Sequence, residues 1–253
     1  MTLFGISLWR IILIVVLIFL VVQRANLVAA FAKFKYARGR YQEAMRIFLV
    51  ADKIGNMNLN NKVLLGYVCL RCGEVAEAKK ALTMAAAMAR PKTANRYKVK
   101  SLLALVYWKE EDLELAIETL EEIVEDGFVN TSIYQNLGVL YNLKGDLEKA
   151  EKFNVKAYEY NKDDAIICDN LADTYAQMQE YGKAEEIYED LMHRDPPPRF
   201  PEAYYGYGKV LIALGKKEEG VKKIEEALEK PFSALSIHTK EEVEEMLRKF
   251  QDA

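Results

Sequence analysis

Residues that interrupt regular secondary structure are scarce in this sequence, which has only six Pro and thirteen Gly among 253 residues. So few turn-forming residues argue against a disordered chain and against an all-β fold with many tight turns. The common residues are instead Ala, Leu, Glu and Lys, which are good helix formers. Hydrophobic residues make up 51% of the chain and charged residues 29%, an ordinary balance for a globular protein. The composition therefore predicts an all-α protein.

The short motifs of nucleotide-binding and hydrolytic enzymes are also missing. The sequence contains no GxGxxG, no GxSxG and no GxxxxGK followed by Ser or Thr. The two histidines, His193 and His238, are far apart in the sequence, and the acidic runs are typical of solvated helix faces. We therefore expect no catalytic residue, no cofactor and no bound metal.

Cysteine is rare, and the three cysteines are Cys69, Cys72 and Cys168. Cys69 and Cys72 form a CxxC pair, a spacing that supports thiol redox chemistry when the thiol pKa is low. A zinc site would need two further ligands, and no second CxxC pair occurs. We interpret all three as small core residues, and a thiol-redox or metal function at the CxxC pair is the alternative.

The longest apolar run lies at the N-terminus, where Leu3 to Val22 is apolar except for Arg10. Twenty helical residues reach about 30 Å, the thickness of the hydrocarbon core of a bilayer. Arg10 can extend its charge to the interface, with Trp9 beside it as an aromatic anchor. No small-residue cleavage site follows promptly. We predict an uncleaved transmembrane anchor over residues 1–24, and the alternative is an exported protein with a cleaved signal.

Charge is distributed unevenly along the chain. Residues 1–100 contain 17 Lys or Arg against 4 Asp or Glu, a net +13, whereas the remainder carries a net −16. Because the basic part lies next to the anchor, we expect it to meet anionic lipid headgroups rather than nucleic acid, and the alternative is that the charges only form solvated helix faces. The positive-inside rule places the bulk of this single-pass protein in the cytoplasm, and an outward-facing bulk is the competing hypothesis. The basic residues that follow the anchor are Arg24, Lys33, Lys35, Arg38 and Arg40.

A period of 34 residues runs through the rest of the sequence, as Tyr107, Tyr141 and Tyr175 illustrate. Small residues at matching positions let two helix backbones approach closely, and one such helix pair cannot bury its apolar face alone, so copies stack. The small residues of the second helix are Ala44, Ala78, Ala116, Ala150, Ala184 and Gly220. A Gly recurs before them at Gly39, Gly73, Gly145 and Gly215, with Glu111 at this place in the third copy.

The pattern resembles the tetratricopeptide repeat, a 34-residue helix–turn–helix unit. The resemblance implies an all-α, right-handed α-solenoid, and the apolar run described above adds one N-terminal transmembrane helix to it. It covers residues 25–234 in six copies, at 25–58, 59–92, 97–130, 131–164, 165–198 and 201–234. Residues 235–253 are predicted to add a C-terminal capping helix, in which Thr239 and Glu242 form a capping box. One face of that helix is apolar and carries Val243, Met246, Leu247 and Phe250.

In this repeat family, the first helix of each unit lines a groove that binds extended peptides or helices. The resemblance therefore provides candidate partner-binding residues on the first helices. In the middle copies these are Gln135, Asn136, Asn142, Asp169, Asn170, Asp173 and Gln177. The upstream candidates are Tyr67, Lys98, Ser101, Leu105 and Trp108, and the downstream candidates are Tyr205 and Lys209.

Two hypotheses about the polar candidates stay open at this point. Asn136 and Asn170 match the groove Asn that often contacts a bound peptide backbone in this family, since an amide both donates and accepts. Alternatively, they only satisfy backbone groups between copies. Asp169 and Asp173 stand where binders of acidic tails carry basic groups, so a basic or polar partner is expected there. The sequence thus predicts a non-catalytic scaffold or adaptor that holds protein or peptide partners at the inner face of a bacterial-type membrane.

Overall fold

The computed structural model describes residues 2–3 and 6–252, and the described part is almost entirely α-helical. Two very short strands, β1 (Thr2–Leu3) and β2 (Ile6–Ser7), pair antiparallel, with Thr2 opposite Ser7. Thirteen helices follow within the described residues. They are α1 (Leu8–Ala37), α2 (Tyr41–Ile54), α3 (Leu59–Cys72), α4 (Val75–Met88), α5 (Ala94–Lys109), α6 (Leu113–Glu125), α7 (Thr131–Lys144), α8 (Leu147–Tyr160), α9 (Ala165–Gln177), α10 (Tyr181–Met192), α11 (Pro201–Ala213), α12 (Lys217–Leu228) and α13 (Lys240–Asp252).

The helices belong to two compact units, one ending at Leu102 and the other beginning at Leu103. In unit 1, α1 packs on α2, α2 on α3 and α3 on α4. In unit 2, consecutive helices from α6 to α13 pack on one another, and α9 also contacts both α7 and α11. Turns of only a few residues join most of these helices, which is the arrangement of helix–turn–helix pairs. The prediction of an all-α fold is confirmed.

Helix α1 combines an exposed part and a packed part in one continuous element. Residues 2–3 and 6–7 form the short strand pair, and the helix begins at Leu8. Trp9 is 80% exposed, and the large hydrophobic residues from Ile12 to Val22 are exposed as well. From Ala25 onward, small side chains at helical spacing are fully buried, as for Ala29 and Ala32. The helix therefore begins to pack on its unit only after the apolar run ends.

The turn after the first helix of each pair contains one residue in the left-handed backbone region. Gly suits this conformation because a Cβ atom crowds the following carbonyl there. The third copy, which has Glu111 in place of Gly, keeps the same conformation with φ 67°. The turn is thus retained where its preferred residue is absent. The residues at this place are Gly39, Gly73, Glu111, Gly145, Gln179 and Gly215, with φ between 63° and 85°.

The small residues of the second helices lie in the core, as the repeat pattern predicts. All five Ala at this position are fully buried, and Gly220 is buried too. The closest approach is between α11 and α12, where a Cβ atom at Gly208 would lie 2.7 Å from the Gly220 carbonyl oxygen. A Cβ at Gly220 would lie 2.6 Å from the Gly208 carbonyl oxygen. Only glycine at both positions permits this backbone separation.

Helix α13 begins with the predicted capping box. The Thr239 backbone N–H donates to Glu242 Oε2 at 2.8 Å, and the Glu242 N–H donates to Thr239 Oγ1 at 3.2 Å. Val243 is buried, and the other three apolar residues of the predicted face pack on the core of unit 2. Residues 231–239, which precede this helix, form no regular secondary structure.

Candidate functional site

The first helices of the last three pairs, α7, α9 and α11, lie side by side in unit 2. Their packing brings nine of the candidate residues into neighbouring positions. We call the surface made by these three helices, together with Trp108 and Lys109 at the end of α5, the first-helix surface. The nine residues are Gln135, Asn136, Asn142, Asp169, Asn170, Asp173, Gln177, Tyr205 and Lys209.

Asn142 belongs to a buried polar network rather than to the open surface. It is 4% exposed, and its Nδ2 donates to the Asn170 carbonyl at 2.8 Å and to Asp173 Oδ2 at 3.1 Å. Its Oδ1 accepts from Thr174 Oγ1 at 2.7 Å, and Asn154 Nδ2 donates to the same hydroxyl at 3.0 Å. Because buried polar groups need partners, this network fixes α7 against α8 and α9.

Asn170 makes a contact of the same kind between neighbouring pairs. It is 3% exposed, and its Nδ2 donates to the carbonyl oxygen of Gln135 at 2.9 Å. Gln135 Nε2 in turn donates to the carboxylate of Asp164, the N-cap residue of α9, at 2.9 Å. In this structure Asn170 therefore satisfies a backbone group between copies, as the second sequence hypothesis describes. Asn136 is half-buried on the same helix as Gln135.

Two carboxylates lie side by side on α9 at the floor of the surface. Asp169 is buried, and Tyr188 donates its hydroxyl to Asp169 Oδ1 at 3.3 Å. Burial, followed by the nearby Asp173 and Glu202 charges, holds the pKa of Asp169 well above its usual range. Asp173 is half-buried and accepts at 2.8 Å from Gln177, which is exposed. The surface is therefore acidic at this point.

Helix α11 meets the irregular segment formed by residues 231–239. The backbone N–H of Ile237 donates to Glu202 Oε1 at 3.1 Å. The ring of Tyr205 packs edge-on against His238, with centroids 4.8 Å apart, and Lys209 Nζ lies 4.6 Å from the Tyr205 ring centroid. Burial, followed by the Lys209 charge, lowers the pKa of His238.

The end of α5 contacts the same segment. Lys109 Nζ donates to the Ser236 carbonyl oxygen at 3.4 Å and lies 3.7 Å from the ring centroid of Trp108. Burial lowers the pKa of Lys109, and the Glu202 charge opposes that shift. Glu202 thus binds the backbone N–H of Ile237, and Lys109 binds the carbonyl of the preceding residue, Ser236. Main-chain groups are recognised here by charged side chains, which form stronger hydrogen bonds than neutral groups.

The upstream candidates divide between the two units. In unit 1, Tyr67 is half-buried, its hydroxyl accepts from Arg71 Nη1 at 3.4 Å, and Lys98 is exposed. Ser101 is also in unit 1 and is buried. Leu105 belongs to unit 2 and is buried too, so neither Ser101 nor Leu105 presents its side chain to solvent.

Cys69 and Cys168 are core residues as predicted, whereas Cys72 is half-buried and the prediction that it lies in the core is wrong. All three are free thiols, and Cys69 and Cys168 are fully buried. Burial, followed by the nearby Cys72, raises the pKa of Cys69 to about 12. A thiol with so high a pKa is almost entirely protonated at neutral pH and is a poor nucleophile. Over residues 2–3 and 6–252, no three His, Cys, Asp or Glu side chains are grouped so that they could hold a metal.

Sequence reasoning missed Lys109, Glu202 and the irregular segment as parts of this surface. A weak signal existed for the two side chains, because Lys109 follows the candidate Trp108 and Glu202 is three residues before the candidate Tyr205. No signal of periodicity predicts that residues 231–239 return to the first helices. Such a contact depends on the tertiary arrangement of helices far apart in the sequence.

Models of the tetratricopeptide repeat match residues 97–125, 131–164 and 170–234. Together these ranges cover about half of the chain, and the chain belongs to the tetratricopeptide repeat family. Proteins of this family are generally non-catalytic scaffolds, and they typically bind protein or peptide partners. No curated protein sequence matches the chain.

Several solved structures have a similar fold. A tetratricopeptide repeat protein from Parabacteroides merdae aligns with a TM-score of 0.72 and 16% identity, over 90% of this chain and 85% of that chain. A thermophilic TPR protein from Thermus thermophilus aligns with a TM-score of 0.63 and 18% identity, over 78% of this chain and all of that one. PilW, a type IV pilus biogenesis factor, aligns with a TM-score of 0.64 and 13% identity, over 81% and 92% of the two chains. At these identities the similarity shows the fold alone.

Proposed function

We propose that this protein is a membrane-anchored, non-catalytic scaffold that binds protein partners through the first-helix surface. One observation carries this proposal: the surface already holds polypeptide main chain, through Glu202 on the Ile237 N–H and Lys109 on the Ser236 carbonyl. Contacts to main-chain groups suit any extended peptide, because every residue except proline offers the same donor and acceptor. Half-buried Trp108 and exposed Gln177 supply side-chain contacts beside them.

Helix α1 supports the membrane part of the proposal. Its segment Trp9–Ala37 has a mean hydropathy of 2.6 over its most apolar window, of which only 6% is buried within the protein. Of its 29 residues, those from Trp9 to Arg24 precede the packed part that begins at Ala25. At roughly 1.5 Å per residue these span about 24 Å, most of the roughly 30 Å core of a bilayer. One such helix near an N-terminus is a weak sign by itself, since a signal sequence has the same properties. We propose residues 1–24 as an uncleaved anchor, with six repeats over residues 25–234 and a C-terminal cap over 235–253.

The charges that follow the anchor support a cytoplasmic location for the repeats. Five basic residues follow the anchor within about 16 residues, and the positive-inside rule places such a flank on the cytoplasmic side. They are Arg24, Lys33, Lys35, Arg38 and Arg40. The same basic region is proposed to contact anionic headgroups. Proteolysis of sealed inverted and right-side-out vesicles tests this orientation. We expect cleavage in unit 2 only in inverted vesicles, and cleavage only in right-side-out vesicles would overturn the proposed orientation.

Co-purification from gently solubilised membranes tests the binding function. The test variant combines Trp108→Ala with Lys209→Glu, both on the first-helix surface, and the matched control is Lys222→Glu on the exposed side of α12. We expect partners of the intact protein to be lost from the test variant and retained by the control. Equal partner lists for wild type, test variant and control, with all three equally helical by circular dichroism, would contradict binding at this surface.

The fate of the N-terminus separates the anchor from an exported form. Mass spectrometry of the intact mature chain is expected to detect residues 1–24. Loss of about the first 25 residues would favour export with a cleaved signal and would remove the anchor from the proposal.

A further inference from the structure

We propose that residues 232–238, the self-segment, act as an internal ligand of the first-helix surface, so that a protein partner binds fully only after displacing them. This inference rests on the proposed function, because it concerns access to the same surface. The self-segment connects α12 to α13 but does not take the shape of a simple helix-to-helix turn. Within unit 2 it contacts Lys109 at the end of α5, and Glu202 and Tyr205 on α11.

The position of the self-segment is the first support for this inference. Every residue from Phe232 to His238 is half-buried, whereas Pro231 before it and Thr239 after it are exposed. Phe232 packs on the core cluster of unit 2. The self-segment therefore lies along the protein surface, covered on one side and open on the other, as a bound peptide does.

The second support is the type of contact that holds the self-segment. Lys109 binds the carbonyl of Ser236 and Glu202 binds the N–H of the next residue, Ile237. These are one acceptor and one donor of a peptide main chain, and neither contact depends on a side chain of the segment. His238 adds an aromatic contact to Tyr205. A foreign peptide can make the same main-chain contacts, so it competes with the self-segment for the same donors and acceptors.

The shape of the self-segment is fixed locally by its serines. Ser236 donates its backbone N–H to the Ser233 carbonyl at 2.9 Å, and the Leu235 N–H donates to Ser233 Oγ at 3.2 Å. A preformed turn loses less conformational entropy when it binds. The self-segment is also tethered at both ends by helices, which gives it an effective concentration on the order of millimolar.

The contacts that hold the segment to the surface are few enough to be exchanged. Between the self-segment and the first-helix surface, they include two main-chain hydrogen bonds and one ring pair. Weakly held surface segments of this kind open locally without global unfolding. Displacement by a partner therefore does not require the repeats to unfold.

The charges of the surface indicate the chemistry of the competing partner. Asp169, Asp173 and Glu202 lie close enough for the two other carboxylates to raise the pKa of the buried Asp169. An acidic peptide would add repulsion at this position. We therefore commit to an extended peptide that is uncharged where it replaces His238, because His238 packs on Tyr205 and the Lys209 ammonium over the same ring would repel a positive charge there.

The test measures binding of the self-segment in trans. In the linker variant, residues 232–238 of the full-length protein are replaced by a Gly/Ser sequence of equal length, so that α13 stays attached. A fluorescent synthetic peptide with the sequence of residues 231–239 is titrated into wild type and linker variant, and binding is followed by fluorescence anisotropy. We expect the linker variant to bind the peptide at least about tenfold more tightly than wild type, because the wild-type surface is occupied by a tethered competitor.

The matched control adds Lys109→Met and Glu202→Met to the linker variant. These changes keep the side-chain length but remove both main-chain contacts, so we expect peptide affinity to fall by about tenfold or more. Equal peptide binding by wild type and a helical linker variant would overturn the inference. The proposed function would stand even after that outcome if the variant with Trp108→Ala and Lys209→Glu still loses its partners. Only the proposal that residues 232–238 act as an internal ligand would then be given up.

Hydrogen exchange gives a second measurement that needs no linker replacement. In wild type, we expect the amide of Ile237 to exchange more slowly than in a free peptide of the same sequence. In full-length protein with Lys109→Met and Glu202→Met, we expect that protection to disappear while the amides of α11 keep theirs. If the Ile237 amide of wild type exchanges as fast as it does in the free peptide, the self-segment is not held on the surface and the inference is overturned.

Discussion

Lys109 and Ser236 are 127 residues apart in sequence, yet the Lys109 ammonium lies 3.4 Å from the Ser236 carbonyl oxygen. This contact joins the end of α5 to the segment before α13 within unit 2. It places a main-chain group of the protein on the surface that the repeat pattern assigns to partners. We therefore expect that a partner binds the first-helix surface fully only when the self-segment is released from it.

An added methyl group at Gly208 should be harmful, because the backbones of α11 and α12 approach closely there. We expect Gly208→Ala to lower the free energy of unfolding by about 2 kcal/mol, because its Cβ would lie 2.7 Å from the Gly220 carbonyl. Urea unfolding in mild detergent measures the change. Gly182→Ala is the control, since a Cβ there meets nothing within 4 Å, and we expect a change of less than about 1 kcal/mol. Equal effects at both positions would contradict the close approach of α11 and α12.

The left-handed turn residue of the third copy offers a stabilising substitution. Glu111 has φ 67°, a conformation that costs a non-glycine residue about 1 kcal/mol. We therefore expect Glu111→Gly to raise the free energy of unfolding by up to about 1 kcal/mol, as measured by urea unfolding. Gly145→Ala introduces the opposite change at φ 75° and should destabilise by about the same amount. A loss of stability in Glu111→Gly would contradict the backbone conformation described.

Asp169 should make stability depend on pH. Its pKa is raised by burial and by Asp173 and Glu202, against the weaker favourable effects of Tyr188 and Lys209. A carboxyl group with a raised folded-state pKa stabilises the fold below its unfolded pKa, and this contribution is lost as pH rises through the folded value. Asp169→Asn should therefore increase stability at pH 7 while changing it little at pH 4. Urea unfolding at the two pH values measures this difference, and an Asp169→Asn variant that is less stable than wild type at pH 7 would contradict it. The control Asp163→Asn, at an exposed site, should change stability equally at both pH values.

His238 should make binding of the self-segment to the first-helix surface depend on pH. Burial and Lys209 lower its pKa, although Glu242 and Asp173 act in the opposite direction. His238 on the surface is thus favoured in its neutral form. Binding of the self-segment to the surface therefore weakens as pH falls below the ordinary histidine pKa of about 6.5, and the weakening levels off below the lowered pKa of His238. We expect exchange of the 232–238 amides, corrected for intrinsic pH effects, to increase between pH 7.5 and 5. His238→Phe keeps an aromatic contact to Tyr205 and should remove this pH dependence.

Cys69 and Cys168 should behave as core residues, and Cys72 should be more accessible. At pH 8 we expect iodoacetamide to modify the half-buried Cys72 first, and Cys69 and Cys168 only in urea. The pKa of Cys69, raised to about 12, leaves almost no thiolate at that pH. Cys69→Ala with Cys72→Ala should keep the partner set of wild type. Rapid modification of native Cys69 would favour the thiol-redox alternative.

The fold was predictable because the repeat places small residues at fixed intervals. The buried Ala44, Ala150 and Ala184 follow from the period, and so does the turn at Gly145. The capping box at Thr239 was equally accessible, because it is encoded within four residues. The start of α1 was not predicted, since an apolar run does not show where a helix begins.

The candidate site was harder to predict because repeat position does not determine exposure. Asn142 and Asn170 occupy first-helix positions, yet their amides are used between neighbouring helices. Whether such a side chain points to a partner or to the next copy depends on the packing of the adjacent helix. Contacts from Glu202 and Lys109 to residues 236–237 depend on the path of an irregular segment, which carries no periodic signal.

Site-specific photo-cross-linking tests the central claim most directly. A photoreactive residue is placed at the exposed Gln177 on the first-helix surface, or at the exposed Lys222 on α12, and membranes are irradiated. The account predicts a protein cross-linked from position 177 and not from position 222, with a higher yield in the linker variant. Equal cross-linking from both positions, or cross-linking from position 222 alone, would contradict partner binding at the first-helix surface.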